Sequence, residues 1–248
     1  MSDNFNLEFM CRLIFLLFIY LSFSQYTIGQ RFYMEAGLLS SSFQKASINK
    51  SISVVDQTNA KAIVRPSFFL KYQHRIKRHF FFEFGLGYEG RGSIFENKSM
   101  PFAHSIYERT INLHYITGVG SLLYRFNSGA KNRFIDFGLG PYISHLYYGV
   151  EEGKSLRYSF VNGEYESLPI LNRINISGKS SNQTFPTSFL PIDIGGNLSA
   201  RYTINRFRLS LQYGFGLKEL FTNGRFYDRE YRNASIGFLF SYQLNNIK

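Results

Sequence analysis

The chain of 248 residues has one cysteine, Cys11, six prolines and no tryptophan. A lone thiol near the N-terminus excludes a disulfide framework and a thiolate metal site. Acids are scarce: 17 stand against 28 lysines and arginines, for a net charge of +11. Beyond Leu13–Phe23, LIFLLFIYLSF, there is no long apolar run, so nothing later reads as a membrane-spanning helix. The mean hydropathy of -0.16 agrees. That value does not exclude a transmembrane barrel, whose alternating strands cancel in any sliding window. The chain also has no Walker loop, dinucleotide fingerprint, zinc spacing, EF-hand or aromatic-basic RNA motif. The basic surplus therefore does not indicate nucleic acid, and no cofactor is expected.

Leu13–Phe23 has the length of a signal-peptide core and is too short to cross a bilayer as a helix. Ser22 and Ser24 are small residues before a cut after Ser24, and a second candidate cut follows Gly29. Residues 1–24 are expected to be a secretory signal and residues 25–248 one barrel domain. Cleavage would remove Arg12, Asp3 and Glu8, raising the net charge by one and leaving no cysteine. Cys11 precedes the apolar run instead of closing it, which argues against a lipoprotein.

Aromatic residues are plentiful, with 27 Phe and 18 Tyr, and so is glycine, with 21. They alternate. In FFFEFGLGYEG, Phe80, Phe82, Phe84, Leu86 and Tyr88 form one row against Phe81, Glu83, Gly85, Gly87 and Glu89. Such a period of two is that of a β-strand. RFRLSLQYGFGLK, ASIGFLFSYQL and LPIDIGGNLSARY repeat the pattern, and segments around Met34, Phe68, Leu113 and Phe137 follow it less cleanly. The fourth of these segments in chain order, Ile111–Phe126, reads with Asn112, His114, Gly118 and Gly120 on its polar side. Eight strands result. Connections alternate between short (HRIKRH, NSGAKN, around Asn205) and long (roughly 40–62, 91–108, 149–187 and 221–232). This is the signature of an all-β, eight-stranded antiparallel up-and-down transmembrane β-barrel.

A soluble eight-stranded barrel would turn its aromatic row inward. Here the opposite row carries much of the glycine, including Gly37, Gly85, Gly87, Gly118, Gly120, Gly138, Gly140, Gly195, Gly214, Gly216 and Gly237. Facing water, so much glycine would hold a barrel weakly. Inside a narrow bore it makes room for long side chains, so the aromatic rows are expected to face lipid. The inward row then holds five acids, Glu35, Glu83, Glu89, Asp136 and Asp193, and five bases, Arg65, Lys71, Arg201, Arg208 and Lys218. Matched charges in a narrow bore can pair into a network that plugs it. Tyr72, Tyr88, Tyr202, Tyr213 and Tyr242 suit an aromatic girdle. Arg75, Lys77, Arg78, Lys131 and Arg133 at short turns suit anionic lipid headgroups.

FEFGLGYE, FIDFGLGPY and LQYGFGLK, with the export signal, resemble the small outer-membrane β-barrel proteins of Bacteroidota described as PorT-like. The resemblance covers roughly residues 31–248 and implies a location in the cell outer membrane. Expected partners are outer-membrane lipid and a protein bound through extracellular loops. The expected role is structural or interactive; the alternatives are a narrow transport channel, a secretion-associated barrel, or a lipid-modifying enzyme using Ser and His near the rim. No enzyme activity is expected: no acid is evident beside His104–Ser105 or Ser144–His145, and adjacent strand residues point to opposite faces. In the longest loop, Asn162-Gly163 marks a hairpin turn that would lift Tyr158, Phe160 and Tyr165 on a flap. Its polar alternation argues against ten strands.

Overall fold

A computed structural model describes residues 30–45, 58–97, 104–127, 132–159, 164–179, 189–220 and 231–245. The expected signal segment lies outside them. The described residues form nine strands in one sheet: β1 (Arg31–Lys45), β2 (Thr58–Arg75), β3 (Phe80–Asn97), β4 (His104–Asn127), β5 (Arg133–Ser159), β6 (Glu164–Ile174), β7 (Ile192–Ile204), β8 (Phe207–Gly216) and β9 (Tyr231–Gln243). The sheet order is β4-β3-β2-β1-β9-β8-β7-β5-β6, with a further β4–β5 pairing. That pairing closes eight strands into a ring, every neighbour antiparallel. Along β5, residues 133–145 pair with β7 and residues 149–159 above them with β6. β6 thus belongs to a hairpin that rises from the ring, as the sequence suggests; the turn at 160–163 lies outside the described residues.

Closure matters because an open edge in hydrocarbon would leave peptide groups unpaired. The seam runs from Tyr33 opposite Gln243 to Lys45 opposite Tyr231. Phe32 N–H donates to Asn245 Oδ1 (2.9 Å) and Leu244 N–H to the Phe32 carbonyl (2.8 Å) at its tight-turn end. Asn132 and Asn205 adopt left-handed φ of 62° and 56° at two adjacent turns, and Asn205 N–H bonds the Asn132 carbonyl at 2.9 Å. Asparagine tolerates that region better than most residues.

The rows sort as alternation predicts on most strands. Along β8, Phe207, Leu209, Leu211 and Tyr213 are exposed and Arg208, Ser210, Gln212 and Gly214 buried; β7 and β9 behave likewise. Exposed apolar rows run from Tyr124 to Ile116 on β4 and from Ile135 to Ile143 on β5, nine residues each. That length suits a tilted strand crossing a bilayer.

β4 corrects the sequence reading. Its buried row is Ile111, Leu113, Tyr115, Thr117, Val119, Ser121, Leu123 and Arg125, so Asn112, His114, Gly118 and Gly120 lie on the outer wall. Two irregularities further re-aim side chains. Opposite His114 and Tyr115, β5 carries one extra residue, Tyr147, and its buried phase switches from even to odd numbers. The β2–β3 register slips by one between Ala62 and Ser67, a stretch that contains Pro66. A proline, lacking an N–H, is tolerated at such a bulge. There Ser41 Oγ reaches from β1, accepting from Gly92 N–H (2.8 Å) and donating to the Gly92 carbonyl (3.3 Å).

Candidate functional site

The lumen is built in layers. Nearest the tight turns lies a charge network centred on Glu83 of β3, with Arg201 Nη1 at 2.7 Å, Arg208 Nη1 at 3.0 Å and Lys71 Nζ at 3.8 Å. Lys71 also pairs with Glu35, which accepts from Ser241 Oγ at 2.7 Å. Asp136 receives Arg125 through two bonds, 2.7 and 2.9 Å, and lies 4.0 Å from Arg208 Nη2. Flat cations also stack here: Arg125 lies between Phe81 and Phe134, 3.9 and 3.6 Å from their centroids, and Arg208 is 3.6 Å above Tyr33. Glycine makes the room. A Cβ on Gly85 would stand 3.0 Å from Lys71 Cγ, tighter than ordinary packing.

Above this layer Phe69, Val119 and Tyr142 meet across the bore. The rings of Phe69 and Tyr142 occupy the space over Gly87 and Gly195, where added Cβ atoms would collide with them. A second polar layer follows. Arg91 pairs with Glu89, with Asp193 (2.6 Å) and with Ser144 Oγ (3.0 Å). Tyr142 OH and Asn233 Nδ2 donate to Asp193 at 3.0 and 2.8 Å, and Thr117 Oγ1 to Glu89 at 3.1 Å. At the long-loop end Phe43, Phe95, Ile111, Leu113, Tyr115, Leu146, Ile174, Phe189, Leu220 and Tyr231 form an apolar cap. Phe189 and Leu220 are held by N–H bonds to the carbonyls of Gly178 (2.8 Å) and Tyr231 (2.9 Å). Gly178, at φ 80°, has the Phe189 carbonyl where a Cβ would point. Arg109 pairs with Glu151, to which Asn172 donates at 3.2 Å.

Of the ten residues read as lumen charges, Glu35, Lys71, Glu83, Glu89, Asp136, Asp193, Arg201 and Arg208 are buried inside. Two are not. Lys218 is exposed, because β8 ends at Gly216 and Leu217 N–H turns to the Ile194 carbonyl at 2.8 Å. Arg65 is half-buried on the outer wall: the β2 bulge turns it across Gly90 to bond Asn112. Arg91, Arg109, Arg125 and Glu151 take buried places that sequence reasoning missed. Among the described residues the interior therefore holds six buried acids and six buried bases. Arg91 and Glu151 could have been found by extending the alternation past Glu89 and allowing for one bulged residue. Ser144 is buried and His145 lies on the outer wall, so the two do not meet. The side chains of His104, Ser105, Tyr158, Phe160 and Tyr165 lie outside the described residues.

The family model for the outer membrane protein beta-barrel domain matches residues 22–222. The chain belongs to this family. In barrels of this kind tight turns face the periplasm and long connections face outward. It is similar to Ail, the attachment invasion locus protein of Yersinia pestis, at 11% identity and a TM-score of 0.39, over 88% of this chain and 100% of that one. The Neisserial surface protein NspA gives 12%, 0.38, 85% and 96%, and OprG of Pseudomonas aeruginosa 9%, 0.42, 89% and 98%. No curated protein matches the chain.

Proposed function

We propose that this barrel serves a structural and surface-interaction role, with a lumen closed to bulk flow and the β5–β6 hairpin presented to a protein partner outside the cell. The observation that carries this reading is the filled bore: two apolar layers alternate with ion-pair networks whose buried acids and bases, taken together among the described residues, are equal in number. Opening such a bore would leave buried charges without partners, which is costly. The hairpin supports the second half, because Gly149–Ser159 of β5 and β6 extend beyond the ring while anchored to it. The proposal includes membership of the PorT-like group of Bacteroidota, resting on the Gly-aromatic texture of β3, β5 and β8. It also holds that the protein is not an enzyme, consistent with the separation of Ser144 and His145 by the barrel wall. Reconstitution in planar bilayers tests closure: the expected trace shows no stable conductance. Large, steady single-channel steps would instead establish the channel. Crosslinking on intact cells, with the 160–163 turn deleted as comparison, tests the interaction role.

A further inference from the structure

Two bulges on separate strands turn side chains to one place on the outer wall. The β2 slip sends Arg65 outward across Gly90, and the extra residue Tyr147 on β5 brings Tyr148 beside His114 of β4. Between them Tyr88 OH lies 2.5 Å from His114 Nδ1, and His114 stacks on Tyr88 and Tyr148 at 5.9 and 5.8 Å between centroids. On β4 this patch marks the upper limit of the exposed apolar row: Ile116 lies just below His114, and Asn112 and Thr110 follow above. It therefore sits where the outer-leaflet headgroups begin. Arg65 brings a full positive charge there. Among the described residues, Asn112 Oδ1 accepts from Nε and Nη2, Nη1 has only the Val64 carbonyl at 3.5 Å, and no carboxylate pairs with the guanidinium. His114 Nε2 has no bond among the described residues, and in the tautomer in which Tyr88 donates into Nδ1 a neutral His114 carries its proton there.

We propose that Arg65, Asn112, His114, Tyr88 and Tyr148 form a site for the phosphate of an outer-leaflet lipid headgroup. The guanidinium binds two phosphate oxygens, its planar fork being preset for that geometry by Asn112. His114 Nε2–H donates to the same group, and the two tyrosine rings wall it at the interface. The site is independent of whether the lumen conducts. Native mass spectrometry of the purified protein tests it, with phosphatidic acid as the phosphomonoester probe and phosphatidylcholine as the zwitterionic comparison. The wild type is expected to retain phosphatidic acid about tenfold more tightly, the order expected of a charge-assisted contact. R65Q should reduce this to the phosphatidylcholine level, R65K should keep part of it, and K218Q, which removes an exposed cation elsewhere, should keep all of it. Heat-modifiable gel migration verifies that each variant folds. Equal retention of the two lipids by the wild type, or an undiminished preference in R65Q, overturns the proposal. Displacement of phosphatidic acid by inorganic phosphate would overturn the assignment to a lipid.

Discussion

Replacing Glu83 by Gln should destabilise this barrel strongly. Glu83 is buried and faces Lys71, Arg201 and Arg208, with the two arginines at 2.7 and 3.0 Å. Around it, Glu35 and Asp136 are the other acids, against Lys71, Arg125, Arg201 and Arg208. Removing one carboxylate leaves four enclosed cations facing two anions. Breaking a buried ion pair by deleting one partner typically costs about 3–5 kcal/mol, because the remaining charge keeps its desolvation penalty. Gln has the shape of Glu, so no cavity adds to that figure. Urea unfolding in phospholipid vesicles, read by the loss of heat-modifiable migration, would measure it. E83Q should shift the transition strongly. In E83Q/R208M the second change should cost less than it does alone, with a coupling of about 0.5–3 kcal/mol. A loss below about 1 kcal/mol for E83Q, or strict additivity in the pair, would mean that the carboxylate is hydrated and the network does not fill the bore.

Gly195→Ala should destabilise by about 1–3 kcal/mol, because the new Cβ meets the Tyr142 ring and the Phe215 carbonyl; the same unfolding assay reads it. Phe238→Arg, at a lipid-facing position 62% exposed, should cost about 2–4 kcal/mol if it lies near the bilayer midplane, whereas Lys218→Gln should change stability by less than about 0.5 kcal/mol. Cells overexpressing the protein should show unaltered lipid A by mass spectrometry; a new acylated or deacylated species would refute the non-enzymatic reading.

Much of the fold was legible because lipid and lumen impose opposite demands on alternate residues. On β3, β7, β8 and β9 the outward row is mostly aromatic or aliphatic and the inward row mostly Gly, polar or charged, with Phe81 and Leu239 among the exceptions, so composition largely orients the strand. β4 hides its orientation. Its upper half faces the apolar cap with Ile111, Leu113 and Tyr115, while His114, Asn112, Gly118 and Gly120 look outward, so the greasier row is the inner one. Bulges are equally silent: one extra residue at Tyr147 exchanges the faces of everything beyond it and carries Glu151 inward, and the β2 slip sends Arg65 out. Arg91 falls in the expected 91–108 connection and Arg109 just beyond it, because strands that continue above the membrane no longer show lipid-facing Phe and Leu. Lys218 continues the inward alternation in sequence, and nothing in that alternation reveals that the strand stops at Gly216.

The central claim is that the aromatic rows face hydrocarbon and the mixed polar rows a filled interior. Single cysteines carrying a nitroxide at each position from Ile236 to Ser241 of β9, with Cys11 replaced, test it by electron paramagnetic resonance in vesicles. Labels at Ile236, Phe238 and Phe240 should collide freely with dissolved oxygen and hardly with a water-soluble nickel chelate, while labels at Gly237, Leu239 and Ser241 should be immobilised and shielded from both. Oxygen accessibility peaking at Gly237, Leu239 and Ser241, or chelate access at Phe238, would contradict the account.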